Sequence, residues 1–322
     1  MGPQLPKHPR GRFAPTPSGR MHAGNVFSCL MNWLAVRSLD GSVVLRIEDL
    51  DPRAQNRENV AHLMSDLEWL GLTWDEGPYF QSERSALYQE ALHELGPYTY
   101  PCFCTRQELH AATAPHASDG TYVYPGTCRN LTKEEVASRS KLRPAAVRLR
   151  VPETADPQAT YSFCDEVYGV QRSNLARDCG DFIVRRSDGV FAYQLAVVVD
   201  DALMNIDLVV RGSDLLGSVA RQMYLQDLLH YKHPLYAHIP LLVSPEGRRL
   251  SKRDHDLDLG YLREVLPGPE PLLTWLASLV SFASPEEMLT ANDLIEHFSW
   301  EKLRAHQGDI EVAEMKPPTT RA

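Results

Sequence analysis

The sequence predicts an α/β fold: a doubly wound parallel sheet, interrupted by an irregular insertion and followed by a short helical region. Three observations lead to it. Strand-length apolar runs alternate with helical periodicity in the N-terminal part of the chain. From about Gly96 to Val190 the pattern breaks into short pieces with prolines and clustered cysteines. The α/β character then returns in "VFAYQLAVVVDDALMNIDLVVRGSDLLGS", two apolar strands each followed by a polar turn.

The elements follow in order. "GRFA" is a short strand start, and "APTPSGRMHAGN" (Ala14–Asn25) is too rich in Pro and Gly for the interior of a regular element. The next run, "VFSCLMNWLAVRSL", places Val26, Leu30, Leu34 and Ala35 on one helical face and stops at "LDG". "SVVLRIED" reads as a buried strand ending on acidic residues. "NRENVAHLMSDLEWLGL" resumes the helical period through Val60, Leu63, Met64, Leu67 and Leu70. Strand, loop, helix, strand, helix opens a Rossmann-type fold, in which ligands gather at the carboxyl ends of the strands. The opening loop and Glu48 therefore belong to one functional edge. A Gly-containing loop entering a helix also presents backbone N–H groups to an anion, although an ordinary connection has the same local pattern. Farther on, "VARQMYLQDLLHYK" is a helix. "PLLTWLASLVSF" is another, with Leu272, Leu273, Leu276, Ala277 and Val280 on a shared face. The resulting division is 8–96 and 191–245 for the two halves of the Rossmann-type domain and 97–190 for the insertion. A basic loop with its helical region follows at 246–310, then a polar tail expected to be disordered at 311–322.

Composition narrows the function classes. With 43% hydrophobic and 23% charged residues the chain reads as a soluble globular protein. No run approaches the ~18 apolar residues of a membrane span. The start, "MGPQLPKHPRGRF", lacks the apolar core of a secretory signal, so a cytoplasmic location and no membrane partner are expected. A net charge of −9 argues against wholesale attraction to nucleic acid. It leaves room for a local basic surface, for which "RRLSKRD" and "RNLTKEEVASRSKLRPAAVRLR" are candidates; a solvated face is the ordinary alternative. Of six cysteines, Cys29 reads as a core residue, and Cys164 and Cys179 have no ligand spacing. Cys102, Cys104 and Cys128 form two clusters that suit a structural zinc knuckle lacking a fourth ligand, for which His110 and His116 are the nearest histidines.

Two stretches about 225 residues apart carry a resemblance. "HAGN" resembles the His-x-Gly-x signature of class I aminoacyl-tRNA synthetases, and "RLSKR" resembles their Lys-Met-Ser-Lys-Ser loop. "RFAPTPSGRMHAGN", "VLRIEDLDP", "LGLTWDEGPYFQSERSALY" and "DLVVRGSDLL" narrow this to the glutamyl-tRNA synthetase branch, over roughly Gly11 to Phe282. Ala23, Asn25, Arg249 and Arg253 depart from the two signatures, while His22, Gly24, Ser251 and Lys252 are kept. The resemblance implies that His22 and Lys252 stabilise the phosphates of ATP, carried with Mg2+, during transfer. It assigns Gly24, Asn25 and Ser251 to ATP binding as well. Glutamate has one ammonium and two carboxylates, so its pocket needs an acid and at least one extra cation. Glu48 suits the ammonium. By the resemblance Arg12 and Arg211 meet carboxylates, Tyr193 adds a hydroxyl, and Phe13, Ala14, Pro15 and Thr16 complete the pocket. An aromatic such as Tyr193 in "VFAYQLA" is more often a core residue, and Arg12 and Arg211 could instead pair with Asp200 and Asp201 as structural residues. "YPGTC" matches relatives in which a tyrosine, here Tyr124, completes the zinc site.

Only 68 residues follow Asp254 in this chain of 322, where complete glutamyl-tRNA synthetases carry a long helical anticodon-binding domain. No such domain is expected here, and the chain resembles the glutamyl-queuosine tRNA(Asp) synthetases. That resemblance implies activation of L-glutamate without tRNA. Glutamate is then esterified to the cyclopentenediol of queuosine in an anticodon stem-loop of tRNA(Asp), by a monomeric enzyme. Three other readings compete: a minimal synthetase charging a tRNA 3′ end, a nucleotidyltransferase, and a non-catalytic amino-acid sensor.

Overall fold

The computed structural model describes residues 5–105, 123–245, 247–248 and 258–312. Within them the strands of interest are β1 (Arg10–Phe13), β2 (Ser42–Ile47), β3 (Glu76–Phe80), β4 (Thr99–Cys102) and β5 (Ala146–Leu149). They continue with β6 (Thr160–Asp165), β7 (Gly169–Asn174), β8 (Phe182–Arg185), β9 (Leu208–Gly212) and β10 (Leu235–Ile239). β1, β2 and β3 pair in parallel, with Arg12 opposite Val44. β9 and β10 also pair in parallel, with Arg211 opposite His238. Helix α1 (Ala23–Arg37) crosses from β1 to β2, and α2 (Arg57–Trp69) from β2 to β3.

The two parallel groups meet at β1 and β9. At their N-terminal ends the strands hold together: Asp207 N–H donates to Arg10 O (3.1 Å), and Arg10 N–H donates to Asp207 Oδ1 (2.6 Å). Farther along they separate. The buried Asn32 of α1 fills the gap, its amide donating to Arg12 O (3.0 Å) and Val210 O (3.1 Å). α1 lies so close to β1 that a Cβ on Gly11 would sit 2.4 Å from Val36 Cγ2. Two sheets, β3-β2-β1 and β9-β10-β6-β7, thus meet side by side at β1 and β9, where the direction of growth reverses and the carboxyl ends part, as at a topological switch point.

Period-2 alternation sorts the strand side chains. Val43, Leu45, Ile47, Leu208 and Val210 face the core cluster built around α1, whereas Val44, Val209 and Tyr236 face the opposite cluster. The sheet is therefore covered on both faces, as the doubly wound reading expects. Arg12, Arg46, Glu48, Arg211 and His238 share the parity of Val44, Val209 and Tyr236, which puts all five on the face away from α1.

The stretch 97–190 contributes to two sheets. β4, β5 and β8 form a small antiparallel sheet, while the β6–β7 hairpin joins the edge of β10 through the pair Tyr236 and Asp165. After the basic loop, the helices Leu259–Val265 and Glu270–Ser278 pack into the α1-side core, with Leu272, Leu273, Leu276, Ala277 and Val280 buried as expected. Order extends past the expected start of the disordered tail. Glu311 pairs with Val243, and Val312 is buried with its N–H on Val243 O (2.8 Å). Residues 313–322 lie outside the described residues. Among the described residues no helix is long and apolar enough to cross a membrane.

Candidate active site and metal centre

The opening between β1 and β9 continues into a cleft of about 600 Å³. Its walls bring together what the sequence scattered: Arg12 to Thr16, His22, Asn25, Glu48, Tyr193 and Arg211 all line it. Ser251 and Lys252 lie outside the described residues. Asp258, which follows their loop, pairs with His22 across an isolated bridge, and Leu259 N–H donates to Met21 O (2.9 Å). The basic loop therefore returns to the chain beside the opening loop. Asp66 Oδ1 strengthens that junction by accepting from Arg20 (2.8 Å) and from Arg263 (2.7 Å).

His22 caps α1. Its backbone is extended, its Nδ1 accepts from Gly24 N–H (3.2 Å), and its own N–H donates to Asn25 Oδ1 (3.2 Å). Use of Nδ1 as an acceptor leaves the ring proton on Nε2 in the neutral form. A Cβ on Gly24 would lie 3.1 Å from His22 Cε1. The first turn of this fifteen-residue helix carries no acidic residue of its own, and a helix N-terminus bears partial positive charge. Backbone N–H groups at a helix N-terminus can meet an anion.

The other end of the cleft contains a buried charge network. Glu48 N–H donates to Pro15 O (3.0 Å), which joins the opening loop to the end of β2. The fully buried Arg46 reaches Asp201 (2.6 Å), Glu48 (3.3 Å) and Asp200 (3.7 Å). Burial opposes its charge, but Asp201, Glu48 and Asp200 together push its pKa up. Burial also tends to raise Asp201, yet Arg46 and Arg12 hold it below the usual carboxylate range. Glu48 goes the other way: burial outweighs Arg46 and Arg12, and its pKa is raised. That carboxylate is therefore under-compensated by its neighbours.

The structure separates the two arginines. Arg12 is in part the structural residue that the sequence allowed, with Nε 3.3 Å from Asp201 Oδ1. Arg211 makes no ion pair with Asp200 or Asp201 among those described. Its Nε donates to His238 Nε2 (3.0 Å) and its Nη2 to Leu215 O (3.4 Å), while Nη1 is buried without a hydrogen-bond partner. A buried guanidinium N–H left unmade is costly, and a ligand carboxylate would satisfy it. Tyr193 stands in the first turn of the Tyr193–Leu203 helix, and burial raises its hydroxyl pKa, keeping it a donor. Asp200 is turned away, accepting from Arg84 (2.6 Å), Gln81 (2.8 Å) and Tyr88 (2.8 Å). Sequence reasoning missed Arg46, Asp165 and His238. A charged residue inside the apolar run "SVVLRI" was the one signal present for Arg46.

The cysteines of the two clusters come together. The sulfur atoms of Cys102, Cys104 and Cys128 lie within 4.8 Å of one another. Tyr124 Oη stands 3.5 Å from Cys102 Sγ and 3.6 Å from Cys104 Sγ, and accepts from Cys128 N–H (2.8 Å). Arg148 donates to Cys102 Sγ (3.2 Å) and stacks over the Tyr124 ring at 3.7 Å. Burial raises Cys102, but the hydrogen bonds of Tyr124 and Arg148 outweigh it and lower its pKa; burial pushes Cys104 up to about 11. Three thiols and a phenol around one point fit a tetrahedral metal such as zinc. His110 and His116 lie outside the described residues. Cys179 is buried, and Cys29 and Cys164 are partly buried; none of the three belongs to this cluster.

Comparison with known proteins agrees with this geometry. Residues 9–316 match the family described as tRNA synthetases class I (E and Q), catalytic domain. The glutamyl-Q tRNA(Asp) synthetase of Nitratidesulfovibrio vulgaris is 47% identical, over 80% of this chain and 81% of that protein. Its counterpart in Symbiobacterium thermophilum is 44% identical, over 89% and 91%. The crystal structure of a glutamate-tRNA synthetase from Elizabethkingia anophelis superposes with a TM-score of 0.79 at 28% identity, covering 95% of this chain and 68% of that one. The cleft at the switch point holds the capped end of α1, Glu48 and an Arg211 whose Nη1 has no hydrogen-bond partner among the described residues. The chain belongs to the class I tRNA synthetase family for glutamate and glutamine, in its glutamyl-Q tRNA(Asp) synthetase branch, and is a ligase.

Proposed function

We propose that the enzyme activates L-glutamate with ATP in the absence of RNA and then transfers the glutamyl group to queuosine in the anticodon of tRNA(Asp). One observation supports this most: Arg211 Nη1 is buried without a partner in the same cleft as Glu48 and the capped end of α1. Glu48 would take the ammonium, and Arg211, with Arg12 and the Tyr193 hydroxyl, the carboxylates. Phe13, Ala14, Pro15 and Thr16 would form the wall beside them. His22, Gly24 and Asn25 would receive ATP from one side, with Ser251 and Lys252 meeting its phosphates from the other.

Adenylate formation needs alignment and charge stabilisation and no covalent catalyst. An oxygen of the glutamate α-carboxylate attacks the α-phosphorus of ATP and pyrophosphate leaves. A ring hydroxyl of queuosine then attacks the carbonyl carbon of the mixed anhydride, forming an ester and releasing AMP. Mg2+, when bound with ATP, would offset phosphate charge. Zinc, held by Cys102, Cys104, Tyr124 and Cys128, would fix the insertion structurally. A loop of splayed, unstacked bases is the usual target of specific RNA recognition, which suits the anticodon. The names of the relatives support this acceptor.

Exchange of labelled pyrophosphate into ATP tests the first step. It should require glutamate and magnesium, proceed at full rate without RNA, and run poorly with glutamine. Exchange that appears only when tRNA is added would overturn the RNA-free step.

A further inference from the structure

We propose that Asp165 and His238 act as a positioning pair that locks one histidine tautomer and thereby aims Arg211 into the glutamate pocket. This rests on the reading of Arg211 as a carboxylate anchor. Arg211 and His238 are register partners on β9 and β10, so their side chains leave the same face of the sheet side by side. Both are buried, at 6% and 0% exposure.

The hydrogen-bond pattern fixes the proton. Asp165 Oδ1 accepts from Val167 N–H (3.0 Å) and Tyr168 N–H (2.9 Å), and the carboxylate also receives His238 N–H (3.1 Å to Oδ2). These bonds hold the acid at the point where the β6–β7 hairpin touches β10. Its Oδ2 lies 2.6 Å from His238 Nδ1, which makes Nδ1–H the donor. On the far side of the ring Arg211 Nε, always a donor, sits 3.0 Å from Nε2. A neutral imidazole with its proton on Nδ1 satisfies both contacts. The other tautomer and the imidazolium would each turn an N–H against the Arg211 N–H. Burial, with Arg211 and Arg12 adding to it, outweighs the hydrogen bond of Asp165 and holds His238 below its ordinary pKa.

The consequence reaches the substrate. With Nε committed to His238 and Nη2 toward Leu215 O, the guanidinium plane is fixed and Nη1 is the nitrogen left for a ligand. Preorganising a buried donor in this way removes its ordering cost from the binding step. Asp165 also ties two parts of the fold to the site, because the neighbouring Glu166 is held by Arg304 (2.9 Å) from the C-terminal helical region.

The test uses the full chain, with calorimetric titration of L-glutamate and the glutamate KM and kcat of pyrophosphate exchange. In Asp165→Asn the amide nitrogen faces Nδ1, the ring takes its proton on Nε2, and Arg211 loses its acceptor. Kd and KM should rise about ten-fold, on the scale of one hydrogen bond to a charged group, with kcat changed far less. His238→Leu should do the same. His238→Gln should restore affinity, because Gln Oε1 takes the place of Nε2, and adding Asp165→Asn to it should weaken binding no further. In the unsubstituted protein a long-range proton–nitrogen correlation spectrum should show His238 protonated on Nδ1 and not on Nε2. A proton on Nε2 overturns the lock whether or not the variants fold. So does unchanged affinity in Asp165→Asn, or a His238→Gln variant as weak as His238→Leu. Arg211→Ala separates the two readings. Unchanged glutamate affinity there removes the anchor itself. Weakened affinity there with an unaffected Asp165→Asn removes only the positioning pair.

Discussion

Glu48→Gln should move affinity and stability in opposite directions. Glu48 is a largely buried carboxylate, and burial outweighs Arg46 and Arg12 to raise its pKa, so folding disfavours its ionisation. For an acid with a raised folded pKa, stability is highest below the unfolded value and declines as pH climbs from there through the folded value. At neutral pH the charge therefore costs stability, and a neutral isostere removes that cost. Gln keeps an oxygen for Arg46, which now lies 3.3 Å from Glu48 Oε1, and Arg46 retains Asp201 at 2.6 Å. The thermal midpoint at pH 7 should rise or stay level, and the gain should vanish in acid. Binding changes in the other direction. Losing a charge-assisted bond to the substrate ammonium costs about 1.5–3 kcal/mol, or roughly ten- to 150-fold in Kd. Titration calorimetry with L-glutamate and with glutarate, which lacks the amine, measures this directly. The unsubstituted protein should prefer glutamate by that factor, and Glu48→Gln should lose the preference. Glutamate binding within two-fold of the parent, or a midpoint lowered by several degrees, would refute the reasoning and make Glu48 a counter-ion for Arg46.

Arg46→Met should be strongly destabilising. It leaves Asp201 buried with Arg12 as its remaining near cation, and breaking such a network costs about 3–5 kcal/mol, to be read as a fall in thermal midpoint. A midpoint within a degree or two of the parent would show that the network is not needed to hold the sheet face. For the cysteine cluster, metal analysis of purified protein should find about one zinc per chain. Tyr124→Phe should weaken zinc retention against a chelator, and unaltered retention would transfer the fourth position to His110, His116 or water.

The sequence carried the covalently local part of this fold well. Helical faces such as Val26, Leu30 and Leu34, and the strand "SVVLRI", are read from period because packing rewards the same spacing everywhere. The opening loop was legible through its pairing with the distant "RLSKR" stretch in one resemblance, and the cysteine clusters through their spacing. The charge network was not. The apolar run "SVVLRI" names no partner for Arg46, and only long-range topology brings it to Asp201, 155 residues away. His238 and Asp165, 73 residues apart, meet because a hairpin from the insertion returns to the edge of the central sheet. For Arg12 and Arg211 the residue types allowed two pairings each; the fold pairs Arg12 with Asp201 and leaves Arg211 Nη1 without a hydrogen-bond partner among the described residues. Glu311 and Val312 escaped notice for a different reason: a two-residue strand is too short to show any period.

The acceptor is measured most directly by following labelled glutamate onto three RNAs. The first is tRNA(Asp) carrying queuosine but lacking its terminal adenosine, the second an anticodon stem-loop carrying queuosine, the third the same stem-loop with guanosine. Label should reach the first two and not the third, because guanosine lacks the ring hydroxyl that attacks the adenylate. Binding of the second and third should differ only modestly, since both present the same phosphate backbone. Label found only on RNA with an intact 3′ end would contradict transfer to queuosine and assign the enzyme to charging at the terminal ribose.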